Sequence, residues 1–155
     1  MSEASRIADQ IKNALEGPAW HGPSLLEAID GLTAEQAARH PVQGSHSIWE
    51  LVEHCAFWAE AARRRLHGEV VEAATERENF PGPLHTSEVS ESAWRRSVMR
   101  VRQTHAELID EAITLSDARL GQAIANDWDV YSTLHGAVQH TLYHAGQIMI
   151  LRKLL

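Results

Sequence analysis

The sequence contains a single cysteine, Cys55, and few basic residues. One cysteine excludes an internal disulfide framework and any metal site built from several thiolates. Lys and Arg number 14 against 21 Asp and Glu, a formal net charge of -7, so we expect no nucleic-acid-binding surface and no attraction to an anionic membrane. No apolar run is long enough to span a bilayer, and the charged start lacks the apolar stretch of a signal peptide. These absences favour a cytoplasmic protein.

The composition is that of a folded protein with an apolar core. Of the 155 residues, 44% are hydrophobic and 23% are charged, which argues against disorder. We expect one domain over residues 1–155, because a chain of this size buries enough surface to fold without crosslinks. Histidine is the unusual abundance, since the chain has 10 of them beside its one cysteine.

Apolar residues recur with helical spacing over most of the chain, and no segment alternates as a half-buried strand would. Two short helical pieces are expected over 24–30 and 33–40. Loops over 70–86 and 116–131 are longer than antiparallel helical hairpins need. The pattern predicts an all-α fold, a four-helix bundle with long inter-helix loops. The four long helices are predicted over 3–16, 47–67, 87–115 and 132–154.

Two histidines, His140 and His144, lie four residues apart in the last predicted helix. Four residues advance a helix by about 400°, so both imidazoles share one face. Ala137 and Ile148 continue that face, which places the rings toward the bundle interior. Such a pair can bind a divalent ion, although two buried, hydrogen-bonded histidines are the alternative. Thr141 stands where a zincin protease needs Glu, which excludes that class of protease.

A third histidine, His54, lies at the edge of the apolar stripe of the helix predicted over 47–67, between Leu51 and Trp58. By itself, a histidine there is more often a core residue than a ligand. Facing helices are nevertheless where the metal sites of helical bundles are assembled. Together with His140 and His144 it would supply three neutral nitrogen ligands, which leave positions open for water or substrate.

Two segments resemble the DinB-like (damage-inducible DinB) superfamily of bacterial metal-binding four-helix bundles. They are HSIWELVEH at 46–54 and QHTLYHAGQI at 139–148, and the resemblance extends in order and spacing over essentially the whole chain. It implies that His54, His140 and His144 bind one divalent ion, commonly nickel or zinc. Proteins related to this family include metal-dependent thiol S-transferases that use bacillithiol and maleylpyruvate isomerases that use mycothiol, while many members have no assigned reaction.

The resulting hypothesis is a metal-dependent enzyme with a small-molecule substrate. In its sharper form the enzyme is a thiol S-transferase, with a low-molecular-weight thiol as co-substrate and a metal-bound thiol, rather than a side chain, as the nucleophile. One alternative is a hydrolase that uses metal-bound water. Another is a non-catalytic bundle that binds a metal or a small ligand. Apolar bundle faces and the related proteins also favour a homodimer.

Five further residues are candidates for the surroundings of the metal. His105 takes a position on a bundle seam where Leu is expected, so it is either a hydrogen-bonded core residue or a pocket group. Tyr143 and Gln147 lie beside the ligand face, where they could orient a ligand histidine, touch substrate or pack on a neighbouring helix. Trp20 and His21, at a helix break, either line the pocket or form an anchored turn. Cys55 is expected to be buried and to bind no metal.

Overall fold

Four long and four short α-helices make up most of residues 1–73, 75–124 and 128–155, the residues that the computed structural model describes. No strand occurs in these ranges, which contain only two isolated bridges. None of the helices within them is both long and apolar enough to cross a membrane. The helices are α1 (Glu3–Glu16), α2 (Leu25–Ile29), α3 (Ala34–Ala38), α4 (Ile48–Leu66), α5 (Glu76–Asn79), α6 (Glu91–Thr114), α7 (Asp117–Leu120) and α8 (Val130–Arg152).

The helices begin at caps that are visible in the sequence. At the start of α4, the Glu50 backbone N–H donates to the Ser47 hydroxyl at 3.2 Å, and the Ser47 N–H donates to the Glu50 carboxylate at 2.7 Å. This reciprocal pair is a capping box, and a cap of this kind stabilises a helix by about 1 kcal/mol. Gly17, with a φ of 85°, ends α1 at the predicted stop, since a left-handed backbone favours glycine.

The four long helices form the bundle that the periodicity predicts. Both α1 and α4 pack against α6 and against α8, so the two pairs enclose a common interior. One core cluster lies around Ile48 and Ile148, and the other lies around Ile11 and Leu108. The predicted all-α four-helix bundle is therefore confirmed.

The structure differs from the sequence prediction mainly at the long loops. Residues 70–86, predicted as a plain connection, include α5. The helix α6 begins at Glu91 instead of 87, because Ser90 accepts the Ala93 N–H at 3.2 Å and caps it there. The last helix begins at Val130 instead of 132, with Asp129 as its cap. Residue 74 and residues 125–127, which belong to the two predicted loops, lie outside the described residues.

Candidate metal centre

Three histidines meet where α4 packs against α8. The Nε2 atom of His140 lies 2.9 Å from Nε2 of His54 and 3.1 Å from Nε2 of His144. His54 and His144 are buried, and His140 is partly buried. The structure thus brings together the three residues that the sequence singled out, with their ring nitrogens as a possible ligand set for a metal ion.

Hydrogen bonds on the far side of two of the rings determine where their protons lie. Nδ1 of His54 lies 2.6 Å from the Asn79 carbonyl oxygen, and Nδ1 of His144 lies 2.6 Å from Oε1 of Gln147. Both oxygens only accept hydrogen bonds, so each Nδ1 carries the proton and each neutral ring presents an Nε2 lone pair. Two lone pairs therefore face Nε2 of His140, which can carry one proton at most. A cation between the three nitrogens satisfies all of them.

Burial keeps the three rings uncharged. It lowers the pKa of His54 to about 4 and that of His140 to about 3. It also lowers the pKa of His144, against the opposing effect of the Gln147 hydrogen bond. At neutral pH each imidazole is therefore uncharged and keeps one nitrogen lone pair, as metal ligation requires. Nitrogens 2.9 and 3.1 Å apart can each lie about 2.1 Å from one ion, so the residues present fit a divalent transition metal.

The segment that follows α5 holds the His54 ring in place. The rings of His54 and Phe80 stack with centroids 3.9 Å apart and planes within 1° of parallel. His46 stacks on Phe80 at 3.6 Å, so Phe80 is sandwiched between two imidazoles. The side-chain oxygen of Asn79 accepts the Trp58 indole N–H at 2.8 Å. Sequence reasoning missed Asn79 and Phe80 as site residues, because a loop has no periodicity. It used His46 only as part of the 46–54 segment and assigned it no place in the site. A lone Phe beside Pro81 was the one available signal.

A sequence model of the DinB superfamily matches residues 20–148. The chain belongs to the DinB superfamily. The matched range includes all three histidines, so the superfamily and the buried cluster together fit a metal-binding protein of the DinB type. Comparison with curated proteins gave no match, and comparison with solved structures gave none either.

In this DinB-superfamily protein, two of the other sequence candidates lie next to the ligand histidines. Oε1 of Gln147 accepts a hydrogen bond from Nδ1 of His144, and Nε2 of Gln147 donates one to the Tyr143 hydroxyl at 3.3 Å. The Tyr143 ring makes an edge contact with His144 at 5.1 Å and is otherwise largely exposed. Gln147 therefore contacts a ligand histidine through a hydrogen bond, and Tyr143 supports Gln147 from the surface.

His105 is fully buried and hydrogen-bonded on both ring nitrogens. Its Nδ1 donates to the Val101 carbonyl at 2.9 Å, and its Nε2 lies 3.1 Å from the Thr141 hydroxyl. Burial lowers the pKa of His105 to about 4, so the ring is neutral and Nε2 is an acceptor that faces the Thr141 hydroxyl. That hydroxyl also donates to the Ala137 carbonyl at 2.8 Å. Both sequence alternatives apply, because this core histidine also borders the cavity beside His140.

Trp20 and His21 lie elsewhere. Both residues are exposed, and Trp20 is fully accessible to solvent. They border a separate cavity of about 320 Å³ with Val138 and Leu142, and they do not border the cavity beside His140. The structure therefore places both residues apart from that cavity, and the Trp20 side chain projects from the turn into solvent.

A cavity of about 260 Å³ lies between α4 and α8, bordered by His140 at the metal centre. Cys55 also borders it, but the residue is buried and burial raises the pKa of its thiol. A thiol that does not ionise at neutral pH is a poor nucleophile and a poor metal ligand. The cavity therefore leaves open space beside His140, while the chain itself supplies no thiolate there.

Proposed function

We propose that this DinB-superfamily protein binds one divalent metal ion, nickel or zinc, through His54, His140 and His144. The observation that carries the proposal is the convergence of three Nε2 atoms, two of which have their lone pairs directed by hydrogen bonds at Nδ1. Buried neutral imidazoles on facing helices are the donors that such ions prefer. Three protein ligands leave further coordination positions for an exchangeable ligand.

We propose further that the protein is an enzyme that transfers a low-molecular-weight thiol to a small electrophile. The metal ion, when bound, lowers the pKa of a thiol that ligates it and fixes the position of the sulfur. Within the described ranges no carboxylate borders the cavity, so none is available there as a general base to activate a water. This favours the thiol transferase over the hydrolase that uses metal-bound water.

The chain's own residues have positioning roles in this reaction. The Asn79 carbonyl and the Gln147 amide hold their imidazoles with Nε2 unprotonated. Phe80 and Trp58 cover the His54 ring and restrict water near the reacting sulfur. The thiol proton passes to solvent, the sulfur forms a bond to the electrophilic carbon, and the leaving group departs with the electrons of the bond that breaks. No side-chain nucleophile is required.

Metal content tests the first part of the proposal. Protein purified without a metal-affinity tag is expected to contain about one nickel or zinc ion per chain by elemental analysis, since three converging imidazoles form one site. The double variant His140→Ala, His144→Ala is expected to contain none. His85→Ala, an exposed histidine outside the cluster, is the matched control. Metal content that the double variant leaves unchanged would show that the site is elsewhere.

A conjugation assay tests the second part. Bacillithiol, mycothiol and cysteine are each incubated with monochlorobimane, and formation of the thioether is followed by fluorescence. We expect turnover by the wild-type protein and loss of turnover in His54→Ala. Equal turnover by both proteins would reject the transferase mechanism, whereas stoichiometric metal without turnover of any thiol would favour the non-catalytic bundle. The homodimer and the cytoplasmic location stay predictions.

A further inference from the structure

The cavity beside the metal centre has one formally charged side chain on its described wall, that of Arg65. Arg65 follows His54 by 11 residues on α4, which separates their Cα atoms by about 16 Å along the helix axis. On the facing helix, Ser132 lies eight residues before His140 and borders the same cavity. The cavity thus extends along the contact of two antiparallel helices, from His140 toward Arg65.

No residue in the described part of the chain neutralises Arg65. Its two neighbours differ in this respect, because Arg63 pairs with Glu107 and Arg64 pairs with Glu69. Residues 1–73, 75–124 and 128–155 offer Arg65 no carboxylate partner at salt-bridge distance. Within these ranges, therefore, no carboxylate balances the charge of this guanidinium next to the cavity.

The contacts that Arg65 does make hold it in place without balancing its charge. The guanidinium carbon lies 5.0 Å from the centre of the Trp58 ring, in a cation–π contact. Nη2 donates to the Val71 carbonyl at 2.5 Å, while Nε is buried without an acceptor. Removing a cation from water without a counter-ion is unfavourable. An ordered, partly desolvated guanidinium is also the group that binds carboxylates best, because its planar fork matches their two oxygens.

Trp58 connects the two ends of the cavity. Its ring centre lies 6.4 Å from that of His140 and 5.0 Å from the Arg65 guanidinium carbon. The distance from Arg65 to His140 therefore cannot exceed the sum of these two lengths, which one small molecule can span. The intervening wall carries small residues, with Ala59 and Ala62 on α4 and Gly136 on α8. This wall leaves space for an uncharged body against the indole.

We propose that this cavity binds a small molecule that bears a carboxylate, with Arg65 as the residue that recognises it. The uncharged part of the molecule lies against Trp58, and its far end reaches His140. The inference rests on the proposed function, since this molecule would be the substrate that meets the metal-bound thiol. It assigns Arg65 to substrate specificity and restricts the substrate class to organic anions with an apolar body.

Matched neutral and anionic probes test this assignment. Phenylacetate and phenylacetamide are titrated calorimetrically into the protein as purified and into metal-free protein prepared with a chelator. The Trp58 indole N–H signal in NMR spectra reports binding in the cavity. A hydrogen bond between Arg65 and a carboxylate is stronger than one between Arg65 and a neutral amide. We therefore expect metal-free wild-type protein to bind phenylacetate at least tenfold more tightly than phenylacetamide. Equal affinities would overturn the proposal.

Variants of Arg65 identify the responsible group. Arg65→Gln is expected to abolish the preference for phenylacetate, and Arg65→Lys is expected to retain part of it. Arg65→Met keeps an unbranched apolar side chain against Trp58. It replaces Arg65→Gln in the experiment if the Gln variant does not fold. Arg64→Gln, which removes an exposed arginine that pairs with Glu69, is the matched control and is expected to keep the full preference. An unchanged preference in folded Arg65→Gln or Arg65→Met would refute the role of Arg65.

The design separates failure of this inference from failure of the proposed function. Metal content is measured on every variant, and Arg65→Gln is expected to keep its ion because Arg65 contacts none of the three histidines. Wild-type protein without metal would refute the metal site, while the phenylacetate preference of metal-free protein would still test Arg65. If the protein contains one metal ion per chain but does not prefer phenylacetate, only the inference about carboxylate recognition is refuted and the metal site stands.

Discussion

The hydrogen bond between His144 and Gln147 gives the sharpest test of how the metal centre is built. Gln147→Met removes the acceptor of the Nδ1 proton, which lies 2.6 Å away, and keeps a side chain of similar length and helix propensity. Without that acceptor the His144 ring can place its proton on Nε2 instead, and an Nε2–H cannot ligate. We therefore expect Gln147→Met to bind the metal more weakly than the wild-type protein.

The size of the effect follows from the kind of bond that is lost. A neutral hydrogen bond contributes about 0.5–1.5 kcal/mol, and one to a charged group about 1.5–3 kcal/mol. A metal ion at Nε2 polarises the imidazole, so the hydrogen bond that Nδ1–H donates to Gln147 approaches the strength of one made by a charged group. Loss of a hydrogen-bond partner behind a metal-bound histidine costs about 10- to 100-fold in affinity. We expect a loss in this range, equivalent to about 1.4–2.8 kcal/mol.

Competition with a chelating indicator measures this loss. Wild-type, Gln147→Met and Gln147→Glu proteins are titrated with zinc against the indicator at pH 7.5. Gln147→Glu offers a carboxylate acceptor and is expected to bind at least as tightly as the wild-type protein. Gln139→Met, on an exposed position of the same helix, controls for the substitution itself. Equal zinc affinities for Gln147→Met and wild type would refute the reasoning that proton placement on His144 sets metal affinity.

Two further predictions concern the metal-free protein. The pKa of His105 is about 4 in the folded chain and 6.5 in the reference state, so its stabilising contribution is complete above pH 6.5 and is lost as the pH falls toward 4. The free energy of unfolding, measured with denaturant across this window, should depend less steeply on pH for His105→Gln than for wild type. Parallel curves for the two proteins would contradict this. Gly82→Ala places a Cβ 2.6 Å from Cγ of Glu50, which the α4 capping box holds in place. We expect a loss of about 1–3 kcal/mol by thermal unfolding, whereas Gly121→Ala, with no atom within 4 Å of the added Cβ, is expected to unfold like wild type.

The long helices and the ligand set were predictable because their signals are local. Ser47 and Glu50 form the capping box that the S-x-x-E pattern indicates. The i, i+4 spacing of His140 and His144 places both on one face in any helix, and apolar neighbours identify that face as the inner one. His54 needed a further step, since its relation to the other two depends on how α4 and α8 pack.

The loop contributions to the site were not predictable, because they depend on contacts between residues distant in sequence. Asn79 reaches His54 across 25 positions with a backbone carbonyl, a group that every residue possesses. Phe80 is identified only by the ring on which it stacks. The exposure of Trp20 was not predictable either, because it depends on the geometry of the turn. Hydrophobicity favours burial of an aromatic residue, and this one is fully exposed.

Burial explains why a few of the 10 histidines are suited to chemistry and others are not. His40 and His67 occupy exposed positions beside the carboxylates of Glu50 and Glu111. His54 and His140 lie among apolar side chains, where burial lowers the pKa to about 4 and about 3. The same desolvation that keeps these two rings neutral also makes their clustered lone pairs unfavourable without a cation. The bundle interior thus keeps these imidazoles in the neutral form that can ligate a metal ion.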